Sequence, residues 1–357
     1  MSSPNKDGIS AFKRAQVRYR RQGVAPNRID DVNEFIDFSN PGEDSRITQQ
    51  QVENNKFTEH EDNTSCTYYK GTLYGIRDFP GFLYAPQVLS QTLQLQIAYL
   101  SVSEFCEKPH ATNIDLVPVK PNEEPNNEQR MWDLWKKKTT TTKEKKPYRS
   151  FQKLSWATSG WQYDWTSRAY HDGRKSPMPP ILEELSNKFA KASLLLEKAE
   201  STDFVASASI VNYYNLKSIM GGHRDDLELA LDKPVISFSV GLPGVFLLGG
   251  KTKDDGPVLP ILVRPGDVMI LGGDSRMNYH GMARVIPHDV ELPEPESRVR
   301  EVLGGTEGSC VPDGDKINLQ SFLRQHRINI NVRQVLPDGV ESITETHTSA
   351  SESTSAL

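Results

Sequence analysis

Apolar and polar positions change their period near Phe204, and that change divides the chain. Before it the periodic stretches are helical. Residues 8–23 form a short basic amphipathic pattern, and Val88 to Glu107 predicts a helix after a turn at Phe79-Pro80-Gly81. Met131 to Lys138 predicts another, beyond the Pro/Asn/Glu loop of 122–127. The plainest is Pro180 to Glu200, with apolar residues at helical spacing, a proline at its start and glutamates early in the run. Beyond Phe204, short Val/Ile/Leu/Phe runs recur: Ser207 to Tyr214, Pro234 to Val240, Val245 to Leu248, Leu259 to Val263, Val268 to Leu271, Ala283 to Ile286 and Ile328 to Val332. Gly249-Gly250, Arg264-Pro265-Gly266-Asp267 and Gly272-Gly273 punctuate them. Many short strands at close spacing predict a closed or sandwiched antiparallel β-structure.

Three stretches carry neither period. Residues 40–64 are polar with hardly an aliphatic and predict a flexible linker; 287–316 are rich in Pro, Glu and Gly and predict a surface insertion. Residues 337–357, dominated by Ser, Thr and Glu, predict a disordered tail. The expected division is therefore a basic helical segment (1–39), the linker, a helical N-terminal part (65–200), a β domain (201–336) and the tail. No internal repeat is visible.

Composition narrows the class. With 357 residues and 36% apolar side chains, a sizeable core is easily buried. No uncharged apolar run reaches the ~18 residues of a membrane span. The longest candidate, Pro234 to Gly250, is broken by Gly241, Pro243 and Gly244, which excludes a membrane-spanning protein. Cys66, Cys106 and Cys310 are odd in number and far apart, which fits neither a disulfide framework nor a Cys-rich zinc site and suggests a reducing compartment. The formal charge of -5 hides an asymmetry. Lys6, Lys13, Arg14, Arg18, Arg20, Arg21 and Arg28 face the single acid Asp7 near the start, and Lys136, Lys137, Lys138, Lys143, Lys145 and Lys146 form a second basic run. Such runs either track a phosphate backbone or are solvated helix faces. No apolar signal-peptide core follows Met1, so secretion is not expected; nucleus or cytoplasm is, with the Arg-rich start also compatible with a mitochondrial address.

Four constellations could carry chemistry. In His223-Arg224-Asp225 the first and third residues share a face if extended, so an imidazole and a carboxylate could grip one metal ion. Such a triplet is also common by chance. Arg327-Ile328-Asn329-Ile330-Asn331-Val332-Arg333 alternates strictly, with one apolar face and one of planar hydrogen-bonding groups and cations. That polar face is either turned to water or built to hold a carboxylate by bidentate Arg. Asn212 and Tyr214 share a strand face and offer an amide and a phenol, or are packing residues with satisfied polar tips. Trp156, Trp161, Tyr163 and Trp165 form either a small apolar core or a stacking platform for a base.

In that order, N-x-Y, H-x-D, a distal His and R-x-N-x-x-x-R, these pieces resemble the AlkB family of Fe(II)- and 2-oxoglutarate-dependent dioxygenases, and within it the AlkB homologue-one branch. Further segments similar to that branch are Phe79 to Phe82, Ile210 to Tyr214, Lys233 to Gly250, Gly266 to Ile270 and Val332 to Leu336, together with the Trp/Tyr stretch of 156–165 and the basic start at 11–21. The likeness spans roughly residues 10–336, with gaps at 40–64 and 287–316. It implies an α+β fold, a double-stranded β-helix (jelly-roll) barrel with flanking N-terminal helices. It implies Fe(II), 2-oxoglutarate and dioxygen as cofactors and co-substrates. His223, Asp225 and His280, the last in Asn278-Tyr279-His280-Gly281, correspond to the family's iron ligands, ahead of His288, His326 and His347. Arg327 corresponds to the residue that pairs with the far carboxylate of 2-oxoglutarate, and Asn212, Tyr214, Asn329 and Arg333 to its hydrogen-bonding partners. No catalytic residue beyond the metal centre is implied. Two departures are Asn331, where the family commonly has Thr or Ser, and Arg224 between the ligands. The implied activity is oxidative demethylation of N-methylated bases in nucleic acid, tRNA 1-methyladenine first and methylated DNA bases (DNA repair) second. Formaldehyde, succinate and CO2 would be released. Trp156, Tyr163 and Trp165, within a lid at about 150–175, are the candidates for holding the base. The alternatives are a dioxygenase acting on a protein such as a histone, and a silent nucleic-acid-binding module. The protein is expected to be a monomer.

Overall fold

Strict alternation along His326–Arg333 gives a strand with one apolar and one polar face, and the architecture sets the first in a core and the second toward a cavity between the sheets. The computed structural model describes residues 8–20, 34–52, 68–125, 128–137, 146–164, 169–288 and 311–343. In chain order the elements are α1 (Ala11–Arg20), β1 (Ile47–Val52), β2 (Gly71–Ile76), β3 (Phe79–Ala85), α2 (Gln91–Ser103), β4 (Ala111–Thr112), β5 (Glu123–Glu124), α3 (Met131–Lys137), β6 (Lys146–Pro147), β7 (Trp156–Asp164) and β8 (Ala169–Lys175). They continue with α4 (Pro180–Leu196), β9 (Ala208–Asn215), β10 (Met220–His223), β11 (Val235–Gly241), β12 (Gly244–Leu248), β13 (Leu259–Val263), β14 (Val268–Leu271), β15 (His280–Val285), α5 (Asp313–Leu323) and β16 (His326–Arg333).

The large sheet runs β1-β2-β3-β14-β11-β16-β9-β7-β4, with β8 added to β7; the small one runs β10-β15-β12-β13. Every pairing in both is antiparallel, giving the expected α+β fold with a jelly-roll core. Ile328, Ile330 and Val332 of β16 are fully buried, in one cluster with Ile97 of α2, Phe189 of α4 and Phe322 of α5. Burial of each such side chain contributes about 1.5–3 kcal/mol. A second cluster, including Tyr214, Phe246, Met269 and Met282, lies between the sheets. The β11–β12 turn depends on Gly241: its φ is +82°, and a Cβ there would sit 2.4 Å from the His326 carbonyl oxygen. Among the described residues no helix is long and apolar enough to cross a membrane.

Several expectations need correction. The expected linker contains β1, paired from Ile47↔Ile76 to Val52↔Gly71. An edge strand with one neighbour and exposed Gln50 and Gln51 needs no apolar face, so periodicity did not mark it. Residues 65–200 are not chiefly helical, because β2, β3 and β7 belong to the large sheet and the barrel does not begin at 201. Phe79-Pro80-Gly81, expected as a turn, opens β3. The insertion expected up to 316 ends in α5, whose first residues are 313–316. Of the expected disordered tail, Val340 and Ile343 pack against the Trp161/Tyr163 cluster, and the Ile343 N–H donates to Asp172. The basic start docks: Phe12 and Tyr19 of α1 are buried on the small sheet with Val245, Leu247 and Ala283, and Gln16 donates to the Met220 carbonyl at 3.1 Å. Arg18 pairs with Glu34 at 2.6 Å. Residues 1–7, 21–33, 53–67, 126–127, 138–145, 165–168, 289–310 and 344–357, and with them part of both basic runs and most of the insertion, lie outside the described residues.

Candidate metal centre

Two strands of the small sheet present the histidines. His223 ends β10 and is register-paired with His280, which opens β15. The strands can approach so closely because residue 281 is glycine: a Cβ there would lie 2.8 Å from the Met220 carbonyl oxygen. Asp225 follows two residues after His223, and the donor atoms of His223, Asp225 and His280 all lie within 4.8 Å of one another. Each ring has its Nδ1 at 3.0 Å from a backbone carbonyl, His223 on Gly221 and His280 on Asn278. An Nδ1–H donating there leaves the Nε2 lone pair for a ligand. The two Nε2 atoms stand 3.8 Å from opposite oxygens of Asp225. His223 is partly exposed, whereas His280 is buried and stacks on Phe246.

Electrostatics prepare these groups. Burial, with His223 nearby, pushes His280 down to about 4, so its ring is neutral at pH 7. Burial alone would raise the Asp225 carboxyl, but Arg333, the two histidines and Arg276 outweigh it and hold the group well below the usual carboxylate range. Two imidazoles and one carboxylate form a donor set suited to Fe(II).

Across the same cavity stands β16. Arg327 and Asn329 line it with Tyr214, Met220, Phe246 and Met282. Arg327 is 1% exposed. Its Nη1 donates to the Leu242 carbonyl at 3.2 Å and its Nη2 to Ser239 Oγ at 2.9 Å, while Nε has no partner. Among the described residues no carboxylate lies within ion-pair distance of it. Burial pushes this guanidinium below its ordinary value, and the more distant Tyr214, Tyr84 and Asp267 offset only part of that. Asn329 donates to the Phe238 carbonyl at 3.2 Å. The Tyr214 hydroxyl reaches only Met220 Sδ at 3.6 Å, a weak acceptor that a carboxylate would displace. Asn331, at the departure noted above, accepts from Ser237 Oγ at 2.6 Å. Asn212 is buried on the same sheet face, register-paired with Asn329 on one side and Trp156 on the other.

Arg333 stands elsewhere than beside Arg327. Its Nη2 is 3.3 Å from Asp225 and its Nη1 donates to Glu228 at 2.9 Å, with Nε unpartnered. Glu228 also accepts from Arg276 Nη2 and from the Tyr170 hydroxyl, each at 2.9 Å. Sequence reasoning missed Glu228, Arg276 and Tyr170. Their partners are 48 to 105 residues away, and only the folded sheets bring them together. Of the expected lid, Trp156 is half-buried and shares a sheet face with Asn212 and Tyr214. Tyr163 is buried, edge-on to Tyr170 at 5.4 Å, so it packs rather than presenting a platform. Trp165 lies outside the described residues.

Comparison with known proteins gives concordant results. The profile of the 2OG-Fe(II) oxygenase superfamily matches residues 123–333. The nucleic acid dioxygenase ALKBH1 of Homo sapiens is 33% identical over 275 residues, spanning 75% of this chain and 67% of that one. The DNA N(6)-methyladenine demethylase ALKBH1A of Arabidopsis thaliana is 27% identical over 355 residues, spanning 91% and 96%. The tRNA demethylase abh1 of Schizosaccharomyces pombe is 35% identical over 190 residues, spanning 52% and 54%.

Proposed function

The chain belongs to the 2OG-Fe(II) oxygenase superfamily, in its AlkB family, and from that premise we propose that it oxidatively demethylates N-methylated bases of nucleic acid. The first substrate to test is tRNA 1-methyladenine, the second a methylated DNA base. The observation that carries the reading is Arg327, a buried guanidinium without an acid partner, facing the cavity that His223, Asp225 and His280 also line. An uncompensated buried cation is costly unless a ligand brings the opposite charge. A carboxylate satisfies Arg327 Nε and gives the Tyr214 hydroxyl a strong acceptor.

His223, Asp225 and His280 would hold the iron. Arg327, with Tyr214 and Asn329, would hold the far carboxylate of 2-oxoglutarate. When bound, Fe(II), 2-oxoglutarate and dioxygen supply the oxidation of a nearby C–H bond, with succinate and CO2 as co-products. An N-methyl group hydroxylated there becomes a hemiaminal, which collapses to formaldehyde and the demethylated base. The chain's own contribution is binding and exclusion. Met220, Phe246, Met269, Leu271 and Met282 wall the cavity with apolar surface and keep water from the reacting carbon. Trp156, on the Asn212 and Tyr214 face, is placed to stack on an extruded base, worth about 1–3 kcal/mol. The nucleic-acid substrates named for the relatives support this class of substrate over protein, and the intact donor set argues against a silent binding module.

The test measures formaldehyde and succinate from 1-methyladenine tRNA, methylated single-stranded DNA and a methylated histone peptide, with Fe(II) and 2-oxoglutarate added. Release from the tRNA should lead, and Asp225→Ala should abolish all of it while the circular-dichroism spectrum stays unchanged. Release from the peptide alone would replace this reading with protein demethylation.

A further inference from the structure

Glu228 is a buried carboxylate that neither the metal nor the co-substrate reading uses. Its side chain is fully enclosed, and it accepts three hydrogen bonds of 2.9 Å, from Arg276, Arg333 and Tyr170. Both arginines also reach Asp225. Arg276 Nη1 donates to its backbone carbonyl, and Arg333 Nη2 stands 3.3 Å from Oδ2. Arg333 therefore spans two carboxylates and sits closer to Glu228 than to Asp225. Arg276 gives its side-chain contact to Glu228 and touches only the main chain of Asp225.

Resting on the metal reading above, we propose that Glu228 is a positioning residue for the metal centre: it draws Arg276 and Arg333 off the Asp225 carboxylate and leaves those oxygens available to the cation. The charges make the point. Asp225 and Glu228 together balance Arg276 and Arg333, so a divalent cation arrives at a site of no net charge among these four. Without Glu228 the site carries one excess positive charge. Both guanidiniums then have a single carboxylate to pair with, the ligand Asp225 itself, in a low-dielectric interior where such contacts are strong. Tyr170 contributes a neutral donor from β8 and does not alter that balance.

The experiment titrates Mn(II), a spectroscopic stand-in for Fe(II), into the full chain by electron paramagnetic resonance, with unfolding temperature measured alongside. The parent should bind Mn(II). Glu228→Gln, which keeps the shape and removes the charge, should weaken binding by about 10- to 100-fold, the usual range for a partner group behind a metal ligand. Tyr170→Phe should stay within about threefold of the parent. The double variant Glu228→Gln/Arg276→Met restores the charge balance and should recover most of the lost affinity. A purely structural role predicts the opposite, with the double variant binding no better than the single one. Parent-like affinity in folded Glu228→Gln overturns the inference, as does equal loss in Tyr170→Phe. Where Glu228→Gln does not fold, the double variant alone decides: parent-like affinity supports the inference and weakened affinity overturns it. A parent that binds no Mn(II) fails the metal reading instead, so the two failures are distinct.

Discussion

Replacing Arg327 by Met should pull stability and function in opposite directions. In the unliganded protein the Arg327 guanidinium is 1% exposed and satisfied only by the Leu242 carbonyl and Ser239 Oγ. Desolvation of an unpaired ion costs several kcal/mol, partly offset by those two bonds. Methionine is of similar reach and carries no charge, and exchanges of buried ionic groups for apolar ones are often neutral or stabilising by about 1–4 kcal/mol. The unliganded variant should therefore melt no lower than the parent. Binding behaves in reverse. Two charge-assisted bonds from the guanidinium to a carboxylate are worth about 1.5–3 kcal/mol each, so losing both should weaken 2-oxoglutarate by roughly 10² to 10⁴. Differential scanning fluorimetry with Mn(II), with and without 2-oxoglutarate, reads both quantities together. At a hundredfold excess over its dissociation constant the co-substrate should stabilise the parent by about 2.7 kcal/mol, and the variant by almost nothing at that concentration. An equal 2-oxoglutarate shift in both proteins would remove Arg327 from the site. A variant that melts far below the parent would show that the guanidinium is structural.

Other perturbations reach different parts of the structure. Gly281→Ala should push β10 from β15, because the new Cβ would meet the backbone oxygens of Met220 at 2.8 Å and Gly221 at 3.0 Å; Mn(II) titration should show weaker binding, and parent-like affinity would mean that the strands yield without moving His223. The Asp267 carboxyl, buried beneath Tyr84 and lifted by that burial to about 6, should titrate there by carbon-13 NMR rather than near its ordinary 3.8. Its folded value exceeds its unfolded one, so its contribution to stability is fully present below about 3.8 and is lost as pH rises through about 6; a midpoint at the ordinary value would refute this.

Strand β16 was legible because its alternation is strict, and α4 because its apolar spacing and opening proline agree. Both signals are local, and both elements bury an apolar face in the same cluster. Strand β1 was not legible: Ile-Thr-Gln-Gln-Gln-Val owes its extended form to backbone pairing with β2, which leaves no mark on side-chain type. The candidate site divides in the same way. His223 and Asp225 are two residues apart and suggest a shared purpose in the sequence. Nothing near Arg276 announces that it meets Glu228, because that contact joins the loop after β10 to the short 3-10 helix before β15, 48 residues on. Tyr163 failed as a platform for a related reason. An aromatic-rich run reads alike whether its rings face solvent or one another, and here Tyr170 and Val335 cover them.

The position of β16 bears on how the chain is made. It follows all its sheet partners in sequence, yet it sits between β11 and β9 near the middle of the large sheet. While a ribosome is still synthesising the chain, β11 and β9 each present a row of unsatisfied amide groups, with nothing between them until residue 333 has emerged. Such edges invite pairing with other polypeptides, and contacts that wait for distant segments form slowly. The nascent chain therefore passes through a long aggregation-exposed interval, and translational stalling just before Arg327 would release a product with open sheet edges, short of both the guanidinium and the strand that completes its walls.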